Sequence, residues 1–484
     1  MGREGTDFLQ LHRRAAPRGG LTAWLVAEVR GAVAEGRLAA GAVLPPTRTL
    51  AQDLGVSRGV VVEAYRRLAD EGLVVSRVGA GTVVVGSVTG PPPAPVVAPA
   101  ATGPLLPART PAGVDVDLSP GVPDLAAFPR AAWLRAERAV LATAGAADLG
   151  YGDPRGSARL RTELAARLAR TRGLRVDAGQ VVVVSGVAQS LALVAQVLRA
   201  RGAATVAMED PGSRGARDQL AHWGLEVLPV PVDDDGLRVA ELAATPARAA
   251  VLTPAHQFPT GVVLAPHRRR ELLAWARAAD GLVVEDDYDA EHRYDRAPVP
   301  ALQASAPEHV VHTGSTSKTL APGMRLGWLV PPPALHADLV AAKHASDLGS
   351  PVLPQLVLAE LLAGGAHDRH LRLVRTRQRA RRDAVVAALA RHLPSARVEG
   401  AAAGLHLLVT FPDGGPDDVE LAARAREAGV LVHPLSWHRR LPGPPGLVLG
   451  YAAHTPDRLT EAVARLGRAV GGARLGRVLA APGG

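Results

Sequence analysis

The sequence contains no cysteine among its 484 residues. A disulfide framework, an iron–sulfur cluster and a cysteine-ligated zinc site are therefore excluded, which is typical of a cytoplasmic protein. A long uninterrupted apolar run is missing as well. The longest uncharged one, residues 181–198, is broken by Ser185-Gly186 and contains Gln189 and Gln196. Because amide side chains are costly in lipid, this run predicts a buried strand followed by a helix, and we expect no membrane span.

Lysine is the second scarce residue. It occurs at Lys318 and Lys343 alone, although lysine and arginine together number 55. A lysine amine can lose its proton and attack a carbonyl carbon, whereas a guanidinium stays charged and is not a nucleophile. A lysine retained in so arginine-rich a chain is thus a candidate nucleophile. The alternative is an ordinary surface lysine, and the surrounding residues have to decide between the two.

A proline-rich stretch divides the chain. Residues 90–111 read GPPPAPVVAPAATGPLLPARTP, and proline at this density favours an extended, semi-rigid spacer over a helix or a central strand. We therefore predict a first domain over residues 1–89, a linker over 90–115 and a second domain over 116–484. The net charge of +9 permits a nucleic-acid partner without establishing one.

Helical patterns followed by a hairpin occupy residues 21–85. After a first amphipathic helix come two short helices, which we expect Thr47 and Ser57 to cap and Gly55 to separate. Two helices joined by a tight glycine turn form a helix-turn-helix, whose second helix fits the major groove of DNA. The segment LVVSRVGAGTVVV then predicts two short strands around Gly79 and Gly81, which form a β-wing.

The run LPPTRTLAQDLGVSRGVVVEAYRRLADEGLVVSRVGAGTVV resembles the winged helix-turn-helix of GntR-type regulators over its whole length. The resemblance implies a double-stranded DNA operator as partner. Arg58 can donate two hydrogen bonds to guanine, and Ser57 at the helix N-terminus suits a phosphate. The sequence departs from the pattern at Gly59-Val60, where polar residues are usual and where Val60 can instead contact a thymine methyl. The implied DNA-binding residues are Arg48, Ser57, Arg58, Arg77 and Gly79.

Beyond residue 115, short apolar strands alternate with helical stretches such as Pro266–Ala279. This alternation predicts an α/β fold with a mainly parallel sheet that helices cover on both faces. Sheets of this kind bind ligands at the carboxyl ends of their strands. The predicted strands are Val181–Val184, Ala204–Met208, Leu225–Val230, Ala249–Leu252, Leu282–Val284, Val310–His312 and Leu326–Val330.

Four motifs stand at those strand ends. SGVAQS (185–190) opens a helix, so its backbone amides can bind a phosphate. TPAHQFPTG (253–261) follows the predicted strand Ala249–Leu252, and EDDYDAEHRY (285–294) follows Leu282–Val284. HTGSTSK (312–318) follows Val310-Val311 and ends in the rare lysine. Each motif alone is weak evidence, but all four in this order and spacing are strong evidence for one ligand site.

Together the four motifs resemble those of fold-type I aminotransferases, over about residues 116–470. The resemblance implies a large PLP-dependent transferase domain with a small C-terminal α+β subdomain. It implies that Lys318 holds pyridoxal 5′-phosphate as a Schiff base, which arginine cannot form. It further implies that Asp286 pairs with the protonated pyridine nitrogen and that Tyr288 hydrogen-bonds the 3-oxygen of the ring. The implied phosphate ligands are Ser315, Ser317, Arg325 and the backbone amides of Val187 and Ala188.

The resemblance reaches three further positions. Tyr151, in YGDPRG, is implied to contact the phosphate of the partner subunit, which requires a homodimer with shared sites. His256 and Gln257 stand where ring-contacting residues are expected, and a purely structural turn is the alternative. Spacing alone does not decide which acid of residues 285–287 meets the ring nitrogen. In the regulator branch that this sequence resembles, the acid precedes the tyrosine by two residues, which favours Asp286.

Two positions depart from the aminotransferase pattern. Ser213 stands where an aromatic residue usually stacks on the cofactor ring, and His222 or Phe258 are the candidates to replace it. Val448 stands where these enzymes have the arginine that grips an α-carboxylate through its guanidinium fork. Amino-acid turnover is therefore not expected. The residues that can replace this arginine are His438, Arg439 and Arg440.

A GntR-type winged helix joined to an aminotransferase-like domain is the plan of the MocR subfamily of bacterial regulators. The resemblance implies a PLP-dependent transcriptional regulator whose effector binds at the cofactor site and controls operator binding. We expect an amino acid, an amine or a vitamin B6 vitamer as effector, and a homodimer with a head-to-tail arrangement. The competing hypothesis is an active aminotransferase with an accessory DNA-binding domain. The third hypothesis is a DNA-binding protein that has no cofactor.

Overall fold

The computed structural model describes residues 11, 16–17, 20–77, 81–85, 113–289, 291–294, 299–411 and 417–480. The chain forms two compact units, Met1–Leu106 and Pro107–Gly484. The predicted linker up to residue 112, and Gly79 of the predicted wing, lie outside the described residues. Among the helices that are described, none has the length and apolar character needed to cross a membrane.

The described residues of the first unit form three helices and a three-stranded antiparallel sheet in the order β1-β3-β2. Its own buried core includes Trp24, Leu50, Val61 and Leu68, which come from all three helices. The predicted helix-turn-helix and wing are thus both formed. The elements are α1 (Leu21–Ala34), β1 (Val43–Leu44), α2 (Thr47–Leu54), α3 (Arg58–Asp70), β2 (Val74–Arg77) and β3 (Gly81–Val84).

The turn between α2 and α3 follows the predicted chemistry with one correction. Gly55 ends α2 in the left-handed conformation at φ 61°, which a residue without Cβ adopts at little cost. Ser57 is the N-cap of α3, although its side chain makes no capping hydrogen bond. The prediction that Thr47 caps α2 was wrong. Pro46 holds the flanking extended position at φ −52° and ψ 141°, so Thr47 is the first helical residue.

The second unit is built around an eight-stranded sheet and a smaller four-stranded sheet. Its elements are β4 (Val116–Asp117), α4 (Arg130–Thr143), α5 (Ala158–Arg172), β5 (Val182–Val184), α6 (Val187–Ala200), β6 (Thr205–Asp210), α7 (Arg214–His222), β7 (Glu226–Asp233), β8 (Gly236–Leu237), α8 (Val239–Ala243), β9 (Ala249–Leu252), α9 (Pro266–Ala278), β10 (Leu282–Asp287), β11 (Val310–Ser315), β12 (Gly327–Val330), α10 (Pro333–Asp347), α11 (Val352–Ala363), α12 (Ala366–His392), β13 (Arg397–Glu399), β14 (His406–Thr410), α13 (Asp418–Glu427), β15 (Val430–Leu431), β16 (His433–Pro434), β17 (Gly446–Gly450) and α14 (Pro456–Ala480).

The large sheet has the strand order β5-β12-β11-β10-β9-β6-β7-β8. The central pairs from β11 to β7 are parallel, whereas β12 runs antiparallel to both of its neighbours. The small sheet, β13-β14-β17-β16, is antiparallel and packs with α12, α13 and α14 around a separate apolar core. The predicted fold class is confirmed: an α/β unit with a mainly parallel sheet and a small C-terminal α+β part.

Burial on both faces explains why the central strands read as continuous apolar runs. In β9, Ala249 and Val251 join one apolar cluster, while Ala250 and Leu252 join the cluster on the opposite face. The predicted strands β10 and β11 nevertheless stop too early. Their pairing continues to Asp287 opposite Gly314, because polar residues at these ends take hydrogen-bond partners that periodicity cannot reveal.

Candidate functional site

The carboxyl ends of β10 and β11 bring the third and fourth motifs together. The two strands are parallel neighbours, with Asp286 opposite Thr313. Parallel strands end at the same edge of a sheet, so the loop that carries Lys318 begins beside the acidic motif. The helix α6 begins directly after β5, and β5 pairs with β12 in the same sheet.

Strand alternation separates the three adjacent carboxylates. Glu285 contacts Nδ1 of His312 at 3.3 Å, and Asp287 forms a two-pronged ion pair with Arg172 at 2.6 and 3.0 Å. Asp286 points to the other face, and its Oδ1 is buried without a hydrogen-bond partner among the described residues. Of the three acids that the sequence left open, Asp286 is therefore the one with a carboxylate oxygen available to a ligand.

Burial also sets the charge state of Asp286. Loss of water, together with the neighbouring negative charges of Asp287 and Asp289, raises the pKa of Asp286 to about 7. A carboxylate in this position is stabilised by a cation placed at its free oxygen. The protonated nitrogen of a pyridine ring is such a cation.

Lys318 is half-buried in the same region. Its Nζ donates a hydrogen bond to the carbonyl oxygen of Gly121 at 2.6 Å. Burial lowers the pKa of Lys318, an effect that the charges of Asp289 and Asp286 oppose. A lower pKa favours the neutral amine, which is the nucleophilic form. Gly121 has φ +88°, a left-handed conformation that favours glycine, and a Cβ there would lie 2.8 Å from Nζ of Lys318.

An anion-binding arrangement stands at the start of α6. The amides of Val187 and Ala188 precede the first hydrogen bond within the helix, which Gln189 donates to Gly186. Such amides and the helix dipole favour a phosphate. The guanidinium of Arg325 lies beside this terminus, because it donates to the carbonyl oxygen of Ser185.

Ser315 and Ser317 complete the predicted phosphate ligands. Ser315 is the last residue of β11 and is buried, whereas Ser317 is half-buried in the following turn. The backbone amide of Ser317 donates to Oγ of Ser315 at 3.4 Å. One residue separates the two serines, and the chain continues directly from Ser317 to Lys318.

Tyr288, His256 and Asp289 form a hydrogen-bonded group. Nδ1 of His256 lies 3.0 Å from the Tyr288 hydroxyl and 2.8 Å from Oδ2 of Asp289. Burial raises the pKa of the Tyr288 hydroxyl well above its ordinary value, so it stays protonated and can donate. His256, predicted to touch the cofactor ring, thus contacts Tyr288. Gln257 instead bonds Pro211 and Phe258 through its amide nitrogen.

Sequence reasoning missed Asp289 and Gly121. Asp289 is the fifth residue of EDDYD, where several acids stand together and none is distinguished by spacing. Gly121 lies in a segment without any motif, 197 positions from Lys318. A contact over that separation leaves no local pattern, so no signal in the sequence could have indicated it.

Tyr151 is not brought to this site within one chain. Its side chain is 94% exposed and lines a surface cavity of about 550 Å³ together with Leu348 and Pro351. The other members of the predicted cofactor set lie on β10, β11, α6 and the adjoining loops, as given above. The predicted role of Tyr151 at a partner subunit's phosphate therefore stays a prediction.

The first departure from the aminotransferase pattern, Ser213, has a clear structural setting. Ser213 is the N-cap of α7, where its Oγ accepts a hydrogen bond from the Ala216 amide at 3.2 Å. Of the two aromatic candidates for stacking, His222 is exposed at the end of α7. Phe258 has its ring centroid 6.4 Å from that of Tyr288, which makes it the candidate that adjoins the site.

The predicted DNA-binding residues of α2 and α3 lie on the surface of the first unit. Arg48, Ser57 and Arg58 are exposed. Val62, one helical turn after Arg58, is 45% exposed, whereas Val60 is half-buried. Gly79 lies outside the described residues, and of Arg77 only the backbone, at the end of β2, is described.

These residues fit pyridoxal 5′-phosphate. The half-buried amine of Lys318, the carboxylate oxygen of Asp286 that lacks a partner among the described residues, and the first two amides of α6 match its aldehyde, its ring nitrogen and its phosphate, respectively. The fold and the site together define a winged-helix protein with an aminotransferase-type domain.

Comparisons with known proteins agree with this class. The family of class I and II aminotransferases matches residues 114–466, and the gntR family of bacterial regulatory proteins matches residues 21–84. The HTH-type pyridoxine biosynthesis transcriptional regulator PdxR of Corynebacterium glutamicum is 34% identical over 449 residues, 92% of this chain and 95% of that protein. The probable rhizopine catabolism regulatory protein MocR of Rhizobium meliloti is 32% identical over 483 residues, 95% and 97% of the two chains.

A solved structure resembles the larger unit. The α-aminoadipate aminotransferase LysN of Thermus thermophilus, solved with N-(5′-phosphopyridoxyl)-L-leucine, is 29% identical with a TM-score of 0.68, and the match covers 75% of this chain and 94% of that one. The chain belongs to the MocR subfamily of GntR-type transcriptional regulators, and its larger unit to the class I and II aminotransferase family.

Proposed function

We propose that this regulator holds pyridoxal 5′-phosphate at Lys318, and that occupancy of this site by a small molecule controls its binding to operator DNA. The observation that carries the proposal is the half-buried amine of Lys318, held by a backbone carbonyl, in the same region as Asp286, whose Oδ1 is buried without a hydrogen-bond partner among the described residues. Both groups are costly to bury, and one aromatic cofactor with an aldehyde and a ring nitrogen satisfies both.

Each described residue has a defined role in this proposal. Asp286 pairs with the ring nitrogen, and Tyr288 donates to the 3-oxygen. His256 orients the Tyr288 hydroxyl, since its Nδ1 is 3.0 Å away. When bound, the cofactor supplies an aldehyde that takes primary amines and a ring that withdraws electrons. The phosphate is assigned to Ser315, Ser317, Arg325 and the amides of Val187 and Ala188, and the partner subunit's phosphate to Tyr151.

The DNA side of the proposal rests on the exposed face of α3. Arg58 stands at its first turn, where a recognition helix enters the major groove. We assign base contact to Arg58, phosphate contact to Arg48 and Ser57, and wing contacts to Arg77 and Gly79. A homodimer, arranged head to tail, would place two such faces on two half-sites of one operator.

The test is footprinting of the DNA upstream of the protein's own gene, with and without pyridoxal 5′-phosphate. We expect a protected region whose extent or affinity changes when the cofactor is added. Protection that is the same with the cofactor-loaded protein, with the cofactor-free protein and with Lys318→Ala would contradict control through this site.

An active aminotransferase is the second candidate, because the larger unit has the fold of the class I and II aminotransferases and resembles them in the motifs assigned to the cofactor. We propose that the chain is not an enzyme, since Val448 stands where a carboxylate-binding arginine is expected. Measurement of amino-acid-dependent keto-acid formation beside operator binding, on one preparation, separates the two candidates. Steady keto-acid turnover without cofactor-dependent DNA binding would favour the enzyme.

A further inference from the structure

A small apolar cluster adjoins the proposed cofactor site. Leu408, Leu435 and Val448 are buried together, and Phe258 packs against them. We call these four residues the Val448 cluster. The ring of Phe258 lies 6.4 Å from the ring of Tyr288, which is the residue proposed to hold the cofactor's 3-oxygen. The cluster therefore borders the space that a ligand on the cofactor would occupy.

Two buried histidines pack against the half-buried ring of Phe258. Its ring centroid is 4.9 Å from that of His406 and 5.1 Å from that of His438. His438 in turn stacks on His433, with ring centroids 5.6 Å apart and an interplanar angle of 17°. Burial lowers the pKa of His406 and of His438 to about 3, so both rings are neutral at physiological pH.

Two ring nitrogens in this region have unused hydrogen-bonding capacity. Nδ1 of His438 and Nε2 of His256 are buried, and neither has a hydrogen-bond partner among the residues that the structure describes. His438 is 6% exposed and His256 is 2% exposed. A buried polar atom without a partner is costly, and a bound group with one hydroxyl or amine would satisfy it. The His438 nitrogen, beside Phe258, thus suits a ligand with an uncharged hydrogen-bonding group at this end, whereas Nε2 of His256 lies against Gly261.

The guanidinium groups near the cluster are already engaged. Arg439 donates to the carbonyl oxygen of Pro444. Arg440 donates to the carbonyl oxygen of Val227 at 3.1 Å, and its backbone amide donates to Asp210. The candidates that could have replaced the carboxylate-binding arginine are therefore directed to other partners.

Two arginines of α7 also approach His438, and each has a partner elsewhere. Arg217 donates to the carbonyl oxygen of Trp437 at 2.9 Å. The guanidinium of Arg214 lies 5.8 Å from the centroid of the Trp437 ring and 3.5 Å from the Asp218 carboxylate. A carboxylate placed against neutral histidines and aliphatic side chains would be buried without a paired cation, which is strongly unfavourable.

We propose that the ligand sensed at this site is a primary amine without a carboxylate, whose uncharged and partly apolar body rests on the Val448 cluster. The primary amine follows from the cofactor, because the aldehyde carbon that Lys318 would hold exchanges one amine for another. The ligand's nitrogen would bond to this carbon while the Lys318 nitrogen is released as a free amine, with no change of oxidation state. A hydroxyl on the body would meet the free nitrogen of His438. The proposal rests on the proposed function, since the ligand's amine would take the place of Lys318 on the cofactor.

Matched pairs of amine and amino acid test the proposal on the full-length, cofactor-loaded protein. Tyramine and tyrosine, and ethanolamine and serine, differ within each pair by one carboxylate. Binding is followed by the absorbance of the cofactor and by calorimetry. We expect the Kd of each amine to be at least about tenfold lower than the Kd of its amino acid. Equal or tighter binding of the amino acids would overturn the proposal, as would failure of both amines to bind.

A substitution then reverses the selectivity. Val448→Arg places a guanidinium beside Phe258 and should shift preference toward the amino acid of each pair. Val448→Leu, the matched control, stays apolar and should keep the order of the wild type. Circular dichroism, together with borohydride labelling of Lys318, shows whether each variant folds and holds the cofactor. A folded, labelled Val448→Arg protein that still prefers amines would overturn the assignment of this cluster.

Failure of the proposed function is distinguishable from failure of this inference. If the wild-type protein gives no borohydride labelling at Lys318, the cofactor assignment is wrong and the ligand pairs are irrelevant. If Lys318 is labelled but carboxylated ligands bind more tightly, the cofactor assignment stands and the ligand class is wrong.

Discussion

Lys318 and Asp286 show how burial prepares single residues for a ligand. The pKa of Lys318 is lowered and that of Asp286 is raised, and burial is the largest cause in both cases. Each group is thus pushed toward its neutral form before any ligand arrives. A pyridine cofactor with an aldehyde compensates both costs at once, because it takes the amine covalently and offers a protonated nitrogen to the carboxylate.

The first prediction at this scale concerns Lys318. Purified protein should carry a yellow cofactor, and borohydride should fix it to a peptide that contains residue 318. Lys318→Ala should lose the label, whereas Lys343→Arg should keep it, since Lys343 bonds the Asp347 carboxylate at 2.6 Å and is directed away from a cofactor role. Peptide mass spectrometry measures the outcome. Label found mainly on Lys343 would show that the lysine is misassigned.

A second prediction concerns pH and Asp286. Its folded pKa of about 7 exceeds the ordinary value of 3.8, so between these pH values the folded state binds more protons than the unfolded state. Stability from this group is therefore lost as pH rises from about 4 to about 7. Relative to Asp286→Asn, the cofactor-free wild type should lose on the order of 4 kcal/mol over this range.

Denaturant unfolding of both proteins at several pH values measures this difference. Asp234→Asn is the matched control, because the Asp234 side chain is 94% exposed, and its curve should parallel the wild type. Addition of pyridoxal 5′-phosphate should reduce the loss in the wild type, since the ring nitrogen supplies a cation. Parallel curves for wild type and Asp286→Asn would show that Asp286 does not titrate as described.

At the scale of secondary-structure elements, the N-termini of α6 and α3 matter most for the proposed function. The start of α6 presents free amides to an anion, and the start of α3 presents Arg58 on the surface of the first unit. The two helices also differ in packing. The helix α6 is buried within the sheet's apolar cluster through residues such as Leu193 and Val194. The helix α3 buries one face, through Val61 and Leu68, and leaves the other exposed.

Arg58→Ala tests the exposed face of α3. If its guanidinium reads a base edge with two hydrogen bonds, the substitution should cost about 1–3 kcal/mol of specific binding. The loss should be greater on the footprinted operator than on random DNA of the same length, as measured by fluorescence anisotropy at fixed salt. Arg37→Ala is the control on the same unit, where Arg37 pairs with Glu35. Equal losses on both DNAs would identify Arg58 as a phosphate contact.

At the scale of the whole molecule, the proposed function requires that ligand binding at the cofactor site changes DNA binding by a separate winged-helix unit. Ligand binding can do so only if two global states bind the ligand with different affinity. A proline-rich spacer of about 22 residues, extended at roughly 3.1 Å per residue, would reach on the order of 70 Å. A spacer of that length is long enough for the proposed head-to-tail dimer, in which the winged helix of one subunit would lie against the large domain of the other.

The last prediction follows from this arrangement. Operator DNA should bind the full-length dimer more tightly than residues 1–90 alone, because the dimer engages two half-sites together. Affinity or half-site spacing should also differ between the cofactor-free, cofactor-bound and borohydride-reduced proteins. Anisotropy titrations and footprinting measure both effects. If residues 1–90 matched the full-length protein and the cofactor changed nothing, the large domain would not be a sensor.

Local patterns in the sequence determined the elements and most of the proposed ligand set. Periodicity placed β9 at its observed bounds, and the four motifs after predicted strands indicated one site, because parallel strands deliver their carboxyl ends to the same edge. The same patterns predicted Gly55 as the turn residue between α2 and α3. These features depend on residues close together in the chain, so spacing and residue type suffice to find them.

Only the tertiary structure decided which side chains remain available to a ligand. Asp286 is distinguished from its neighbours because Arg172, 115 positions from Asp287, and His312, 27 positions from Glu285, engage those two acids. The approach of Lys318 to Gly121 spans 197 positions, and the setting of Val448 depends on packing across the small sheet. Such contacts follow from how whole elements pack, and packing over long separations leaves no local pattern in a single sequence.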